Sequence, residues 1–186
     1  MQISKFDKVI FHVYVFLRQY STADRNFDAT FFKNMQHCEA VWENAKKISK
    51  KMNLTKDEKR ILRYGVALHD IGKFPCVQAK YEGNPKKGHE KIGADFIKTS
   101  GLDWLKTEEF SQADIEILCK IIKSHRKIKH RKTNAGRKLC YIVFAADKLA
   151  HIQKSEERRK KSLRKIQGIP SKKVKKAALH IAKKGK

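Results

Sequence analysis

The chain has 186 residues, 40% of them hydrophobic, with 44 Lys and Arg against 19 Asp and Glu for a formal charge of +25. That length suits one domain with an appendage, and ten Phe, five Tyr and two Trp supply enough apolar surface for a core, which excludes full-length disorder and collagen-like classes. The longest apolar run, residues 9–17, is interrupted by His12 and Tyr14 and falls well short of the roughly 20 residues needed to cross a bilayer, so no membrane partner is expected.

A secretory signal is not expected either, because the first segment lacks a small-residue cleavage site, and the sequence reads as cytoplasmic. Cys38, Cys76, Cys119 and Cys140 are widely spaced, form no C-x-x-C pair and read as reduced core thiols.

Helical periodicity runs nearly throughout, and strict alternation of apolar and polar residues is missing, which makes the fold all-α. The spacing predicts a first helix over 5–19 and a second over 32–52, the latter with His37, Val41, Ala45, Ile48 and Met52 on one face. Thr55 and Glu58 fit a capping box that starts a third helix, ending near His69 and Asp70. Pro75, Gly83, Asn84, Pro85 and Gly88 then mark a long loop over 74–88. A fourth helix is expected over 89–99, stopped by Gly101 in the left-handed conformation. Ser111 caps a fifth that carries Ile115, Leu118, Ile121 and Ile122 inward to about His125. A sixth, over 139–152, is apolar on most faces and therefore central, with Asp147 as its one acid; a buried acid needs a partner or a metal.

The basic residues are concentrated. From residue 151 onward, 14 Lys and Arg stand against two Glu, and a second cluster from Lys120 to Lys138 lies in a stretch with no acid between Glu116 and Asp147. Such segments attract polyanions through counterion release. The division expected is a domain over 1–152 and a Lys-rich, partly helical extension over 153–186, poor in apolar faces and expected to dock loosely or fray.

The chemistry lies in His37, His69, Asp70, His89, His125 and Asp147, each on or at the end of a predicted helix. Imidazole and carboxylate donors without cysteine suit manganese, iron(II) or zinc, and a carboxylate can bridge two cations, for which Asp70 is the natural choice. His130, His151, His12 and His180 read as surface or packing residues, although His151 follows Asp147 by one turn.

The order His37, His69-Asp70, Asp147 resembles the H, HD, D pattern of the HD superfamily of metal-dependent phosphohydrolases. Residues 67–73 look like the HDIGK form of its motif, residues 88–94 like its companion helix start, and residues 122–125 like its third block, so the resemblance covers roughly residues 33–152. It implies an HD-domain helical bundle with one divalent ion on His37, His69, Asp70 and Asp147 and a second on Asp70, His89 and His125. Manganese or iron is the expected metal, with zinc or nickel as alternatives, and the ions would activate a water against a phosphoester. Asp70 and Lys73 are the implied catalytic residues. Lys73, Arg126, Lys127, Lys129, Arg131 and Lys132 are the expected phosphate or nucleic-acid contacts.

The branches of the superfamily differ in the third block. His125 is followed by Arg126 rather than a second histidine, and no Gly-Tyr-Pro follows, which sets aside the HD-GYP phosphodiesterases and demotes the CRISPR-type HD nucleases. Ribonuclease Y HD domains and symmetrical diadenosine tetraphosphate hydrolases remain similar. The expected function is therefore metal-dependent hydrolysis of nucleic-acid phosphoesters. The alternatives are hydrolysis of a dinucleoside polyphosphate or nucleoside phosphate, and nucleic-acid binding with a vestigial site.

Overall fold

The computed structural model describes residues 3–21, 25–81, 88–128, 136–152 and 155–184. Among them the chain is all-α: α1 (Lys5–Arg18), α2 (Phe27–Ser49), α3 (Lys56–Leu68), a 3₁₀ turn (Ile71–Lys73), α4 (Pro75–Ala79), α5 (His89–Thr99), α6 (Leu102–Thr107), α7 (Gln112–Ser124), α8 (Arg137–Ala150), α9 (Glu156–Gln167) and α10 (Lys172–Lys184). Three of the starts are capping boxes. The side chains of Ser4, Thr55 and Ser111 accept from the N–H three residues on, and the carboxylates of Asp7, Glu58 and Asp114 reach back to the cap N–H.

The apolar faces meet around α8, which packs against α2, α3, α7, α9 and α10. An unbroken run from Tyr141 to Leu149 of this helix is buried, including Asp147 and Lys148, as its composition anticipates for a central element. Asn44 on α2 donates to the Ala146 carbonyl oxygen of α8 at 3.4 Å, tying the two helices where the site forms.

Four expectations need correction. Helix α2 begins before residue 32, because Phe27 and Phe31 are buried and their rings pack on Tyr14 and Phe74. The loop over 74–88 begins with a short helix, α4, with Pro75 in its first turn and Cys76 and Val77 buried; residues 82–87 lie outside the described residues. Gly101 is right-handed, at φ −91° and ψ −8°, so the chain turns directly into α6 and seats Leu105 in the core while Trp104 stacks on Phe16 at 4.3 Å.

The extension is the fourth correction. Instead of docking loosely, α9 packs on α8 and α10 on both α8 and α2, burying Ile166, Ile169, Val174, Ala177 and Ala178. The apolar positions are few but correctly spaced, so two helices rich in Lys still contribute a core face.

Candidate metal centre

Helix ends build the site. His69, His125 and His151 are the C-cap residues of α3, α7 and α8, Asp147 lies one turn inside α8, His37 is on α2, and His89 opens α5. Three helix C-termini thus converge, and the partial negative charge of their free carbonyls favours a cation between them. Asp70 follows His69 at φ −106° and ψ 12°, between α3 and the 3₁₀ turn.

The register of that turn against α5 is set by contact between backbones. A Cβ on Gly72 would fall 2.0 Å from the His89 carbonyl oxygen and 2.6 Å from the Gly93 nitrogen. Only glycine permits this approach, which carries Asp70 to within 3.1 Å (Oδ1) of His89 Nε2.

The two carboxylates have parallel surroundings. Oδ1 of Asp70 has Nε2 of His89 at 3.1 Å and of His125 at 3.2 Å; Oδ1 of Asp147 has Nε2 of His37 at 3.2 Å and of His151 at 3.3 Å. Each Oδ2 is met by an ammonium, Lys73 on Asp70 and Lys148 on Asp147. His69 Nε2 lies 3.4 Å from Asp70 Oδ2 and 3.4 Å from His37 Nε2, which closes the cluster. His69, Asp70, His125 and Asp147 are buried, while the side chains of His37 and His89 are 17% and 19% exposed at the opening.

The hydrogen bonding leaves lone pairs facing inward. Nδ1 of His69 lies 2.7 Å from the Val66 carbonyl oxygen and Nδ1 of His125 lies 2.7 Å from that of Ile122, so each Nδ1–H donates outward and each ring turns its Nε2 toward the cluster. Burial, opposed by Asp70, pushes His69 down to about 4, so it is neutral at pH 7. Burial alone would raise Asp70, but His69, His125 and His89 together hold it far below the usual carboxylate range. Asp147 follows the same pattern, with burial outweighed by His151, His37 and Lys148.

These residues fit a divalent cation. Asp70 Oδ1 is buried with no hydrogen-bond partner, although two imidazole nitrogens are close by, which is the arrangement of donors aimed at a common point rather than at one another. Three groupings place ligand atoms within 4.8 Å of one another: His37, His69 and Asp70; His37, Asp147 and His151; and Asp70, His89 and His125. Asp70 and His37 are each shared between two of them.

All six residues expected as ligands therefore lie together, and Lys73 lies beside Asp70. Arg126 is exposed next to His125 and donates to Glu90 at 3.3 Å, and Lys127 is exposed. Lys129, Arg131, Lys132 and His130 lie outside the described residues. Sequence reasoning assigned His151 to surface or packing, whereas it stands in the cluster. The signal for it was its i,i+4 spacing from Asp147, which puts both on one face of α8.

The chain matches the HD domain family model over residues 34–152 and belongs to that family. HD domains bind divalent metals, and membership indicates metal-dependent phosphohydrolase activity. No curated protein and no solved structure matches the chain. Among the described residues no helix is long and apolar enough to cross a membrane.

Proposed function

We propose that this protein hydrolyses phosphodiester bonds of nucleic acid, using two divalent ions, manganese or iron before zinc or nickel, held by His37, His69, Asp70, His89, His125 and Asp147. The observation that carries this reading is the position of Asp70, a buried carboxylate shared by two groups of imidazoles with one oxygen unpartnered. Such ions, when bound, supply Lewis-acid polarisation of a phosphoryl oxygen and activation of a water.

The chain's own residues do the rest. Asp70 and Asp147 stay ionised at neutral pH, and His69 and His125 present Nε2 atoms whose orientation is fixed by their carbonyl partners. Lys73, one turn beyond Asp70 and 42% exposed, holds positive charge where a phosphate oxygen would gain negative charge. Arg126 and Lys127 offer further cations at the same edge.

Nucleic acid is favoured over a small nucleotide by the Lys-rich face of α9, which packs on the helix that carries Asp147. Lys165 on α9 is held below its ordinary value by partial burial and by Lys148 and Lys161, opposed by Asp147, with Arg126 also within Coulombic reach. A basic surface running from the centre along α9 suits a polymer with phosphates at intervals. One observation favours the second reading, hydrolysis of a dinucleoside polyphosphate or nucleoside phosphate: Tyr141, the aromatic residue nearest the basic cluster, is only 7% exposed and offers no platform for a base. The four cysteines form no disulfide and three of them are buried, which suits the cytosol.

The test is hydrolysis of labelled single-stranded RNA, single-stranded DNA and diadenosine tetraphosphate by anaerobically prepared protein with manganese or iron(II), using Asp70→Ala as control. Polynucleotide cleavage that falls steeply with salt, disappears in Asp70→Ala and shows a raised KM in Lys161→Gln/Lys165→Gln supports the proposal. Salt-tolerant turnover of the dinucleotide alone supports the second reading, and no metal-dependent hydrolysis overturns both.

A further inference from the structure

We infer that His151 is a metal ligand, joining His37 and Asp147 on the ion nearest α8 and giving that ion a nitrogen-rich set; the inference rests on the metal-dependent reading above. His151 is the C-cap of α8, and its Nε2 lies 3.3 Å from Asp147 Oδ1, the oxygen that His37 Nε2 approaches at 3.2 Å. This repeats around Asp147 what His89 and His125 do around Asp70 Oδ1 at 3.1 and 3.2 Å.

Two observations separate a ligand from a residue that only steadies Asp147. The carboxylate is already supplied with donors, since Oδ2 is paired with the buried Lys148 and Oδ1 has His37, so a third donor is not needed to hold it. The His151 ring also lies against that of His37, with centroids 5.1 Å apart and planes 30° apart, and ligand atoms of His37, Asp147 and His151 fall within 4.8 Å of one another. Two imidazoles stacked this way present nitrogen to one side, as a cation requires. His151 is 33% exposed, so it forms the outer wall of the centre without filling it.

The chemical consequence is a matched pair of donor sets. His37 and His151 give this ion two imidazoles beside the Asp147 carboxylate, the same donor set that His89 and His125 make with Asp70. Imidazole-rich sets suit iron(II), nickel and zinc, whereas carboxylate-rich sets suit manganese and magnesium. Both sides of the centre therefore present a set in which imidazole outnumbers carboxylate, the kind that suits nitrogen-binding metals.

Cobalt(II) titration of the full chain, followed by calorimetry and by visible absorption, tests this with wild type, His151→Ala, His151→Gln and His37→Ala. The expected result is a loss of about tenfold or more at one of two sites in His151→Ala, a changed absorption band, and the same loss in His151→Gln, which keeps a hydrogen-bond donor but lacks the imidazole. Wild-type affinity and spectrum in His151→Gln would make His151 a positioning donor and overturn the inference, as would no change in His151→Ala. In either case a large loss in His37→Ala leaves the metal-dependent reading intact. Failure of the wild type itself to bind cobalt overturns the inference and that reading together.

Discussion

Replacing Gly72 by Ala tests the link between backbone packing and the metal centre. The new methyl group would stand 2.0 Å from the His89 carbonyl oxygen, so the 3₁₀ turn and α5 must part by about 1.4 Å to restore ordinary contact near 3.4 Å. The obstacle is backbone on both sides and cannot rotate away, so the cost belongs at the upper end for overpacking, about 3 kcal/mol. For a chain of this length that corresponds to a melting temperature lower by about 6–12 °C. Asp70 stands two residues before Gly72 and His89 is the residue struck, so the 3.1 Å approach between them opens by a comparable amount. A displacement of that size is enough to lower metal affinity at the shared site, and turnover, by about 100-fold.

Thermal unfolding by circular dichroism and cobalt titration by calorimetry read the two effects. Gly168→Ala is the control: its Cβ would meet nothing closer than 3.5 Å and its φ of −75° suits alanine, so stability is unchanged or slightly raised and metal binding is untouched. A Gly72→Ala protein that melts with wild type and binds metal with wild-type affinity would refute the claim that this backbone contact sets the distance between Asp70 and His89.

Two further outcomes are expected. From the sequence, Asp147→Ala relieves a buried charge and should leave melting of the metal-free protein unchanged; Lys148, 8% exposed and paired with Asp147, reverses that. Its ammonium would be left buried and unpaired at a cost of about 3 kcal/mol, visible as a lowered urea midpoint, and Asp147→Ala/Lys148→Met should recover most of it without restoring metal binding. Acidification should destabilise the metal-free fold. His69 is depressed to about 4, so between pH 6.5 and 4 the unfolded chain takes up a proton that the folded chain refuses, and stability falls as pH falls through that window. Below it, Asp70 and Asp147, depressed in the fold, add to the loss. Urea midpoints from pH 7.5 to 4.5 measure this; a flat profile, or one that His69→Asn does not flatten, would contradict it.

The sequence by itself determined the helical class, the capping of α3 and α7, the central place of α8 and the six residues that meet at the site. The first three depend on local chemistry, periodicity or a Ser or Thr with an acid three residues on, and the six residues were legible through their resemblance to the HD pattern, in which only His69 and Asp70 are adjacent in the chain. Tertiary structure alone decided the rest. Whether the extension docks depends on whether a few positions such as Ile166 and Val174 find a complementary surface on α8 and α2, which no local pattern encodes. That His151 belongs with His37, and that Lys148 pairs with Asp147 inside the core, are consequences of how α2 meets α8. Residues remote in sequence acquire their chemistry from the distance between helices, and that distance is set by packing over the whole core.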